Sequence, residues 1–200
     1  MGFMCGINGI IRFKRINLAN QLREMNNQII HRGPDDHGIF LEDSENFSIG
    51  FGMRRLSIID LNNGSQPIYS KDKNVVIVFN GEIYNYKKLQ AELQLKNVVF
   101  DTNSDTEVIL NLYIKYGEES FSKLDGMFAF SIYDKVKNKV FIVRDFFGEK
   151  PIYYTKNKEG IVWASELKSI ISQYETKPEI SKKGLELFFS LTYIPAPYTI

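Results

Sequence analysis

The sequence predicts an α+β fold in which antiparallel strands and helices form separate layers. Apolar side chains recur at helical spacing within residues 17–30, whereas residues 75–79 and four runs between residues 127 and 164 are rich in β-branched and aromatic residues. The strands thus come in two groups with the helices segregated from them, which is typical of antiparallel sheets covered by helices. A chain of 200 residues, 44% of them hydrophobic, is long enough for one full domain and the start of a second.

The first half of the chain contains predicted strands, one helix and one charged loop. In chain order these are a strand at residues 5–13, the helix at 17–30, the loop at 31–36, and strands at 38–41, 47–56 and 75–79. The last of these strands is expected to end at Asn80-Gly81, because Asn-Gly is the strongest hairpin dipeptide.

The second half contains predicted helices on either side of a predicted β-meander. Ser104, with Glu107 three residues later, predicts a capping box at the start of one helix. The chain then enters an extended, Pro-rich stretch at residues 193–197, which is typical of a linker. The elements are helices at 84–95 and from 104 onward, strands at 127–133, 140–144, 152–155 and 161–164, and helices at 166–172 and 182–191.

Charge and composition exclude several classes of function. Twenty-five Lys and Arg residues against 24 Asp and Glu residues give a net charge of +1, so nucleic acid is not an expected partner. Because no apolar run reaches the roughly 18 residues of a membrane helix and no signal peptide is recognisable, we expect no membrane contact and a cytoplasmic protein. One Cys and two His show no metal-ligand spacing, and phosphate-binding motifs are absent, so no metal or cofactor is expected in this domain.

Cys5 is the first candidate for chemistry. A lone free Cys is most often a small buried hydrophobe. If translation starts at Met4 and that Met is removed, however, Cys5 carries a free α-amine, whose pKa of about 8 suits a general base. One residue would then hold both the nucleophile and the base. A papain-like pairing of Cys5 with His31 or His37 is an alternative, although a structural hydrogen bond would explain His31 equally well.

Asn80-Gly81 permits two interpretations. The first is a tight turn after an apolar strand. The second is an oxyanion hole, in which the Asn80 amide and the Gly81 N–H donate to the oxygen of a tetrahedral intermediate.

Charged residues close to these positions could recognise an amino acid. Arg54 and Arg55 lie at the edge of an apolar strand, either as surface cations beside Asp60 or as a fork that grips a carboxylate. Asp105 either complements the dipole of its helix or binds a cation. A zwitterionic substrate needs one cation for its carboxylate and one or two anions for its ammonium, and Arg55, Glu82 and Asp105 would supply that set.

Short motifs occur in a fixed order along the chain, and together they are far more specific than any one alone. They resemble the glutaminase domain of glutamine-hydrolysing asparagine synthetases, over residues 4–200. The motifs are Met4-Cys5-Gly6-Ile7, His31-Arg32-Gly33-Pro34-Asp35, Arg55-Leu56-Ser57-Ile58-Ile59-Asp60, Gln66-Pro67, Phe79-Asn80-Gly81-Glu82, Ser104-Asp105-Thr106-Glu107, Leu124-Asp125-Gly126-Met127, Arg144-Asp145, Lys150-Pro151 and Ala164-Ser165-Glu166.

The resemblance implies a fold and a set of roles. The fold is the four-layer αββα sandwich of two antiparallel sheets that N-terminal-nucleophile (Ntn) hydrolases share. Cys5 would be the nucleophile, and Asn80 with Gly81 the oxyanion hole. The substrate-binding residues would be Arg55 for the α-carboxylate, Glu82 and Asp105 for the α-ammonium, and Leu56, Ser57, Ile58 and Ile59 along the pocket.

The resemblance also implies a function and a domain organisation. The domain would hydrolyse L-glutamine through a Cys5 thioester and pass ammonia to an ATP- and Mg-dependent synthetase domain of the same polypeptide; an oligomer is compatible with this. We expect residues 1–4 to be removed or absent in the active form, residues 5–175 to form the glutaminase domain, and residues 176–200 to begin the synthetase domain. The alternatives are another ammonia acceptor, as in surface-sugar or secondary-metabolite amidotransferases, or a catalytically silent glutamine-binding module.

Overall fold

The computed structural model describes residues 5–56, 65–176 and 178–199, and within them two antiparallel sheets. The five-stranded sheet has the order β2-β3-β1-β9-β8, and the four-stranded sheet has the order β4-β5-β6-β7. The strands are β1 (Gly6–Arg12), β2 (Asp36–Asp43), β3 (Ser48–Arg55), β4 (Ile68–Tyr69), β5 (Val75–Ile83), β6 (Gly126–Asp134), β7 (Lys139–Arg144), β8 (Tyr153–Asn157) and β9 (Gly160–Ala164). The helices are α1 (Ala19–Gln28), α2 (Tyr86–Gln94), α3 (Asp105–Tyr116), a 3₁₀ helix (Gly117–Lys123), α4 (Leu167–Ile171) and α5 (Lys182–Leu191).

Apolar side chains fill the space between successive layers. Along β5 the side chains alternate: Val76 and Val78 face the other sheet, while Ile77 and Phe79 face the helices α2 and α3. On the far side, Leu22 of α1 and Ile170 of α4 cover the five-stranded sheet. Both faces of each sheet are therefore buried, which confirms the predicted α+β fold with its αββα layers.

The second half of the chain is not one meander, so that prediction was wrong. β6 and β7 pair in the four-stranded sheet, whereas β8 and β9 pair in the five-stranded sheet. Residues 145–152 carry the chain from one sheet to the other. The alternation of apolar and polar residues shows which face of a strand is buried, but it does not show which strand is its partner. Four successive strands therefore have the same sequence pattern whether they form one sheet or divide between two.

Asn80-Gly81 does not end its strand, and the prediction of a hairpin turn there was wrong. β5 continues to Ile83, with Asn80 paired with Ala129 and Gly81 paired with Phe128 on β6. Gly81 has φ of +151°, and a Cβ atom there would lie 2.2 Å from the carbonyl oxygen of Met127. Glycine is required here because β6 approaches too closely for a side chain.

The predicted N-terminal cap of α3 is present, but its Glu107 side chain contacts the preceding loop. The Ser104 hydroxyl accepts a hydrogen bond from the N–H of Glu107 at 3.2 Å, as predicted. The Glu107 carboxylate accepts from the N–H groups of Asp101 and Thr102, at 2.8 and 2.7 Å, and so ties the preceding loop to the helix. In the part of the chain that the structure describes, no helix is long and apolar enough to cross a membrane.

Candidate active site

Cys5 lies immediately before β1 and is held from two sides. Its Sγ accepts a hydrogen bond from the N–H of Leu56 at 3.4 Å, and its carbonyl oxygen accepts one from Nε of Arg32 at 2.9 Å. Cys5 also packs against the apolar cluster between the sheets, to which Val78 of β5 and Ala129 of β6 belong. Cys5 is thus held by the residue that follows β3, by an arginine in the segment after α1, and by packing between the two sheets.

The environment of the thiol favours its neutral form. Burial raises the pKa of Cys5 and outweighs the hydrogen bond from Leu56 and the nearby charges of Arg55 and Arg32, which act in the opposite direction. A thiol with a raised pKa is a weak nucleophile at neutral pH. Its reaction therefore requires a group that accepts the thiol proton.

Asn80 offers a hydrogen-bond donor that is buried and without a partner among the described residues. Its Nδ2 atom is fully enclosed, and an unsatisfied buried amide is unfavourable in a native protein unless a ligand uses it. Gln66 holds β5 at Phe79, the residue before Asn80. Its Oε1 atom accepts from the N–H of Phe79 at 2.6 Å, and its Nε2 atom donates to the carbonyl of Phe79 at 3.2 Å. No local pattern predicts this role of Gln66, although the residue lies in one of the recognised motifs.

The two adjacent arginines of β3 have different tasks. Arg54 donates to the carbonyl of Asn26 at 3.1 Å and to Oδ1 of Asn27 at 2.9 Å, so it holds the end of α1. Arg55 is also buried, and its charge acts on Cys5. Because neighbouring residues of a strand point to opposite faces, the two side chains lie on opposite faces of the sheet, and the charge that acts on Cys5 is that of Arg55.

Glu82 and Asp105 lie together at the end of β5. Asp105 accepts a hydrogen bond from the N–H of Ile83 through Oδ2 at 3.1 Å, and Glu82 is exposed beside it. Burial raises the pKa of Asp105, the hydrogen bond from Ile83 opposes this, and the charge of Glu82 raises it further. A positively charged group bound here would stabilise the ionised form of Asp105. The predicted pocket residues Ser57, Ile58 and Ile59 lie outside the described residues.

The contacts of His31 do not support its pairing with Cys5, because its ring is engaged elsewhere. Nε2 of His31 lies 3.0 Å from Oε1 of Glu166, and Nη1 of Arg32 donates to the same oxygen at 3.0 Å. Burial disfavours the Glu166 carboxylate, but hydrogen bonds from Arg32, His31 and Lys168 outweigh it and lower the pKa of Glu166. Arg32 and Glu166 were not predicted to contribute to the site. Both occur in recognised motifs, yet no local pattern shows that they meet.

Among residues 5–56, 65–176 and 178–199, no cluster of three or more His, Cys, Asp or Glu side chains could hold a metal ion. The candidate groups are instead the Cys5 thiol, the enclosed amide donor of Asn80, the guanidinium groups of Arg32 and Arg55, and the carboxylates of Glu82 and Asp105. This set provides a nucleophile, a donor for an oxyanion and contacts of both signs for a zwitterion.

Comparison with known proteins agrees with this chemistry. Residues 4–200 match the family described as the glutamine amidotransferase domain. The chain is 44% identical to the putative asparagine synthetase [glutamine-hydrolyzing] 2 of Methanocaldococcus jannaschii, over 98% of this chain and 41% of that protein. It is also 44% identical to asparagine synthetase [glutamine-hydrolyzing] 1 of Bacillus subtilis, over 98% of this chain and 31% of that protein. The chain thus spans less than half the length of these relatives.

A solved structure shares the fold. The glutamine phosphoribosylpyrophosphate amidotransferase of B. subtilis superposes with a TM-score of 0.67 at 21% sequence identity, over 83% of this chain and 43% of that one. Its likeness concerns the fold alone. The family match, the asparagine synthetase relatives and the shared sandwich lead to one assignment: this chain belongs to the family of glutamine amidotransferase domains.

Proposed function

We propose that this chain hydrolyses the side-chain amide of L-glutamine with Cys5 as the nucleophile. The observation that carries the proposal is the enclosed Nδ2 group of Asn80, which has no acceptor among the described residues and lies on a strand of the sheet opposite Cys5. A donor of that kind suits an oxygen that becomes negative during the reaction. The match to glutamine amidotransferase domains supports glutamine as the substrate.

The proposed reaction has two steps. The Cys5 sulfur attacks the amide carbon of glutamine after its proton passes to a base, and the carbonyl oxygen becomes an oxyanion near Asn80 and Gly81. Collapse of this intermediate breaks the carbon–nitrogen bond, and the nitrogen leaves with a proton as ammonia. Water then attacks the resulting thioester, which releases glutamate and restores the thiol.

Substrate recognition would use the charges around Cys5. Arg55 would bind the α-carboxylate, and Asp105 with Glu82 would bind the α-ammonium. The raised pKa of Asp105, caused mainly by burial, supports the second contact, since a cation is what this carboxylate lacks. Ser57, Ile58 and Ile59 remain proposed pocket residues on the strength of the motif alone.

We further propose that the ammonia serves an ATP-dependent synthetase domain of the same polypeptide, with aspartate as its acceptor. Support comes from the asparagine synthetase relatives, which are more than twice as long as this chain. ATP and Mg²⁺ would belong to that domain and not to this one. The α-amine of Cys5 is the proposed base, which requires that residues 1–4 be absent from the active form.

Labelling with 6-diazo-5-oxo-norleucine, an electrophilic glutamine analogue, tests the proposal by intact mass. Because the chain contains a single Cys, one adduct on a chain that begins at Cys5 would identify nucleophile and substrate class together. The Cys5→Ser variant serves as the control and should remain unlabelled. A processed chain that stays unlabelled while iodoacetamide still modifies Cys5 would contradict the proposal.

A further inference from the structure

The segment that follows β9 is clasped to β1 close to Cys5. The N–H of Ser165 donates to the carbonyl of Ile7 at 2.9 Å, and the Ser165 hydroxyl accepts from the N–H of Ile7 at 3.0 Å. Ser165 is fully buried, so water does not compete for either hydrogen bond. Glu166, the next residue along the chain, is thereby fixed relative to Ile7, which lies two residues after Cys5.

Glu166 binds Arg32 from this position. Its Oε1 atom accepts from Nη1 of Arg32 at 3.0 Å, and the arginine side chain is only 11% exposed. An ion pair with a largely buried cation is screened less by water than a pair on the surface. The exposed side chains of His31 and Lys168 contact the same carboxylate, at 3.0 and 3.2 Å. The Glu166 carboxylate is thus held in place where it meets the arginine.

Arg32 in turn lies against the start of β1. Its Nε atom donates to the carbonyl of Cys5 at 2.9 Å. A Cβ atom at Gly6 would lie 3.1 Å from Cδ and 3.2 Å from Nε of Arg32, so the arginine packs directly against the residue that follows Cys5. The third nitrogen, Nη2, is enclosed and has no hydrogen-bond partner in the part of the chain that the structure describes. Loss of the contact with Glu166 would therefore leave the guanidinium with its hydrogen bond to Cys5 alone.

We propose that Glu166 is a positioning residue of the glutaminase reaction, which acts on Cys5 through Arg32. The contacts form a closed path, because it leaves Cys5 along β1, crosses to Ser165 and returns from Glu166 through Arg32. Ser165 and Glu166, the last two residues of a recognised motif, thereby acquire a physical task. The inference rests on the proposed function, since the position of Cys5 matters for turnover only if Cys5 is the nucleophile.

Steady-state hydrolysis of glutamine by the chain that begins at Cys5 tests this role. We expect Glu166→Ala to lower kcat by about tenfold to a hundredfold with little change in KM, since a small misplacement of the nucleophile has effects of this size. Glu166→Gln keeps an oxygen for Nη1 of Arg32 and should restore kcat to within about threefold of the wild type. Glu159→Ala, at an exposed glutamate directly before β9, is the matched control and should behave like the wild type.

A double-mutant cycle distinguishes positioning through Arg32 from a general effect on the fold. In an Arg32→Met background, Glu166→Ala should have no further effect on kcat, because the group through which it acts is gone. Two results would overturn the inference: wild-type kcat in folded Glu166→Ala, or losses from the two substitutions that simply multiply. Thermal melting of every variant establishes that the comparison is between folded proteins.

A second variant covers the case in which Glu166→Ala does not fold. Glu166 occupies the N-cap position of α4, and its side chain makes no cap hydrogen bond there. Because serine is a favourable N-cap residue, Glu166→Ser removes the carboxylate while supporting the helix. It should show the same loss of kcat and the same dependence on Arg32, and a folded Glu166→Ser with wild-type kcat rejects the inference.

Failure of the proposed function would give a different result. A wild-type chain that begins at Cys5 and neither hydrolyses glutamine nor reacts with 6-diazo-5-oxo-norleucine would reject that function. The link from Glu166 to Arg32 can still be measured, by ¹⁵N NMR of the arginine side chain. The Nε–H of Arg32 should be protected from solvent exchange in the wild type and lose this protection in Glu166→Ser, and equal exchange in the two proteins would reject the link.

Discussion

The main-chain carbonyl of Cys5 accepts a hydrogen bond from the guanidinium of Arg32, although the two residues are 27 positions apart. Nε donates to Cys5 at 2.9 Å, while Nη1 donates to Glu166 at 3.0 Å. Glu166 thereby fixes the orientation of the Arg32 guanidinium, and that guanidinium in turn holds Cys5. These contacts hold Cys5 directly before Gly6, the residue at which the pairing of β1 with β3 begins.

Replacing Arg32 with Lys should therefore impair the reaction more than substrate binding. Lysine keeps the charge, but its single nitrogen cannot reproduce the planar geometry with which two separate nitrogens of Arg32 reach Cys5 and Glu166. We expect kcat for glutamine hydrolysis to fall by about tenfold to a hundredfold, with KM changed much less, since a small misplacement of the nucleophile has effects of this size. Lys168→Met, which removes another partner of Glu166, should leave kcat nearly unchanged. Equal losses in the two variants would contradict the role of Arg32.

Asn80→Ala should lower kcat by about 10²–10³, the usual effect of removing one oxyanion donor. The free energy of unfolding should change little, because the Nδ2 atom has no partner among the described residues. Asn85→Ala serves as the control and should lower the free energy of unfolding while leaving kcat unchanged. Nδ2 of Asn85 donates to the carbonyl of Lys123 at 2.9 Å, and Asn85 is not one of the proposed site residues. An Asn80→Ala enzyme that loses only substrate affinity would show that the residue binds glutamine in its ground state.

Asp105→Asn should weaken glutamine binding selectively. The variant keeps an oxygen for the N–H of Ile83 but loses the negative charge that would pair with the α-ammonium. An increase in KM by roughly tenfold to a hundredfold is expected from steady-state kinetics, with a smaller change in kcat. Asp101→Asn, at an exposed carboxylate in the loop before α3, provides the matched control. If both variants behave like the wild type, the ammonium site lies elsewhere.

Gly81→Ala should be considerably more destabilising than Gly117→Ala. Both glycines have positive φ, but a Cβ at Gly81 meets the Met127 carbonyl, whereas nothing lies within 4 Å of a Cβ at Gly117. We expect losses in the free energy of unfolding of about 1–2 kcal/mol at Gly117 and roughly 3–5 kcal/mol at Gly81, because only the latter adds a steric clash to backbone strain. Urea denaturation of the two variants compares them directly, and similar losses would contradict the close approach of β6.

Asp145 should make the stability of the domain dependent on pH in acid. Burial opposes ionisation of this carboxyl, but the N–H groups of Lys150, Glu149 and Phe128 outweigh it and lower its pKa. A carboxyl with a lowered pKa in the folded state stabilises the protein above its unfolded pKa of about 3.9, and that stability is lost as the pH falls through the folded pKa.

The Asp145→Asn variant should accordingly be less stable than the wild type by roughly 2–3 kcal/mol at pH 7, and the difference should shrink below about pH 4. Denaturant titrations at pH 7, 5 and 3 measure it. Asp125→Asn, at an exposed carboxyl, should show no such dependence. A difference that stays constant down to pH 3 would mean that the carboxylate charge is not what anchors the loop between β7 and β8.

Several features of the candidate site follow from the sequence motifs. The charge of Arg55 acts on Cys5, whereas the roles of Asn80 and Asp105 in binding a common substrate stay predictions from the resemblance. The local pattern at Asn80-Gly81 wrongly predicted the end of the strand, because turn statistics describe a dipeptide in isolation. Inside the fold, β6 pairs with these residues and extends the strand to Ile83, so tertiary pairing overrides the turn preference.

The sequence by itself determined the class of the fold, the position of most elements and the cap at Ser104, because hydrophobic period and capping are local properties. The order of motifs along the whole chain led to Cys5 as the proposed nucleophile. Only the tertiary structure decided which sheet receives each strand, which of Arg54 and Arg55 faces Cys5, and which side chains from distant segments hold the nucleophile. The hydrogen bond from Arg32 to Cys5 and the burial of Lys150 depend on packing between segments far apart in the chain. Such contacts leave no periodic signature, since the residues that form them are brought together only when the two sheets close on each other.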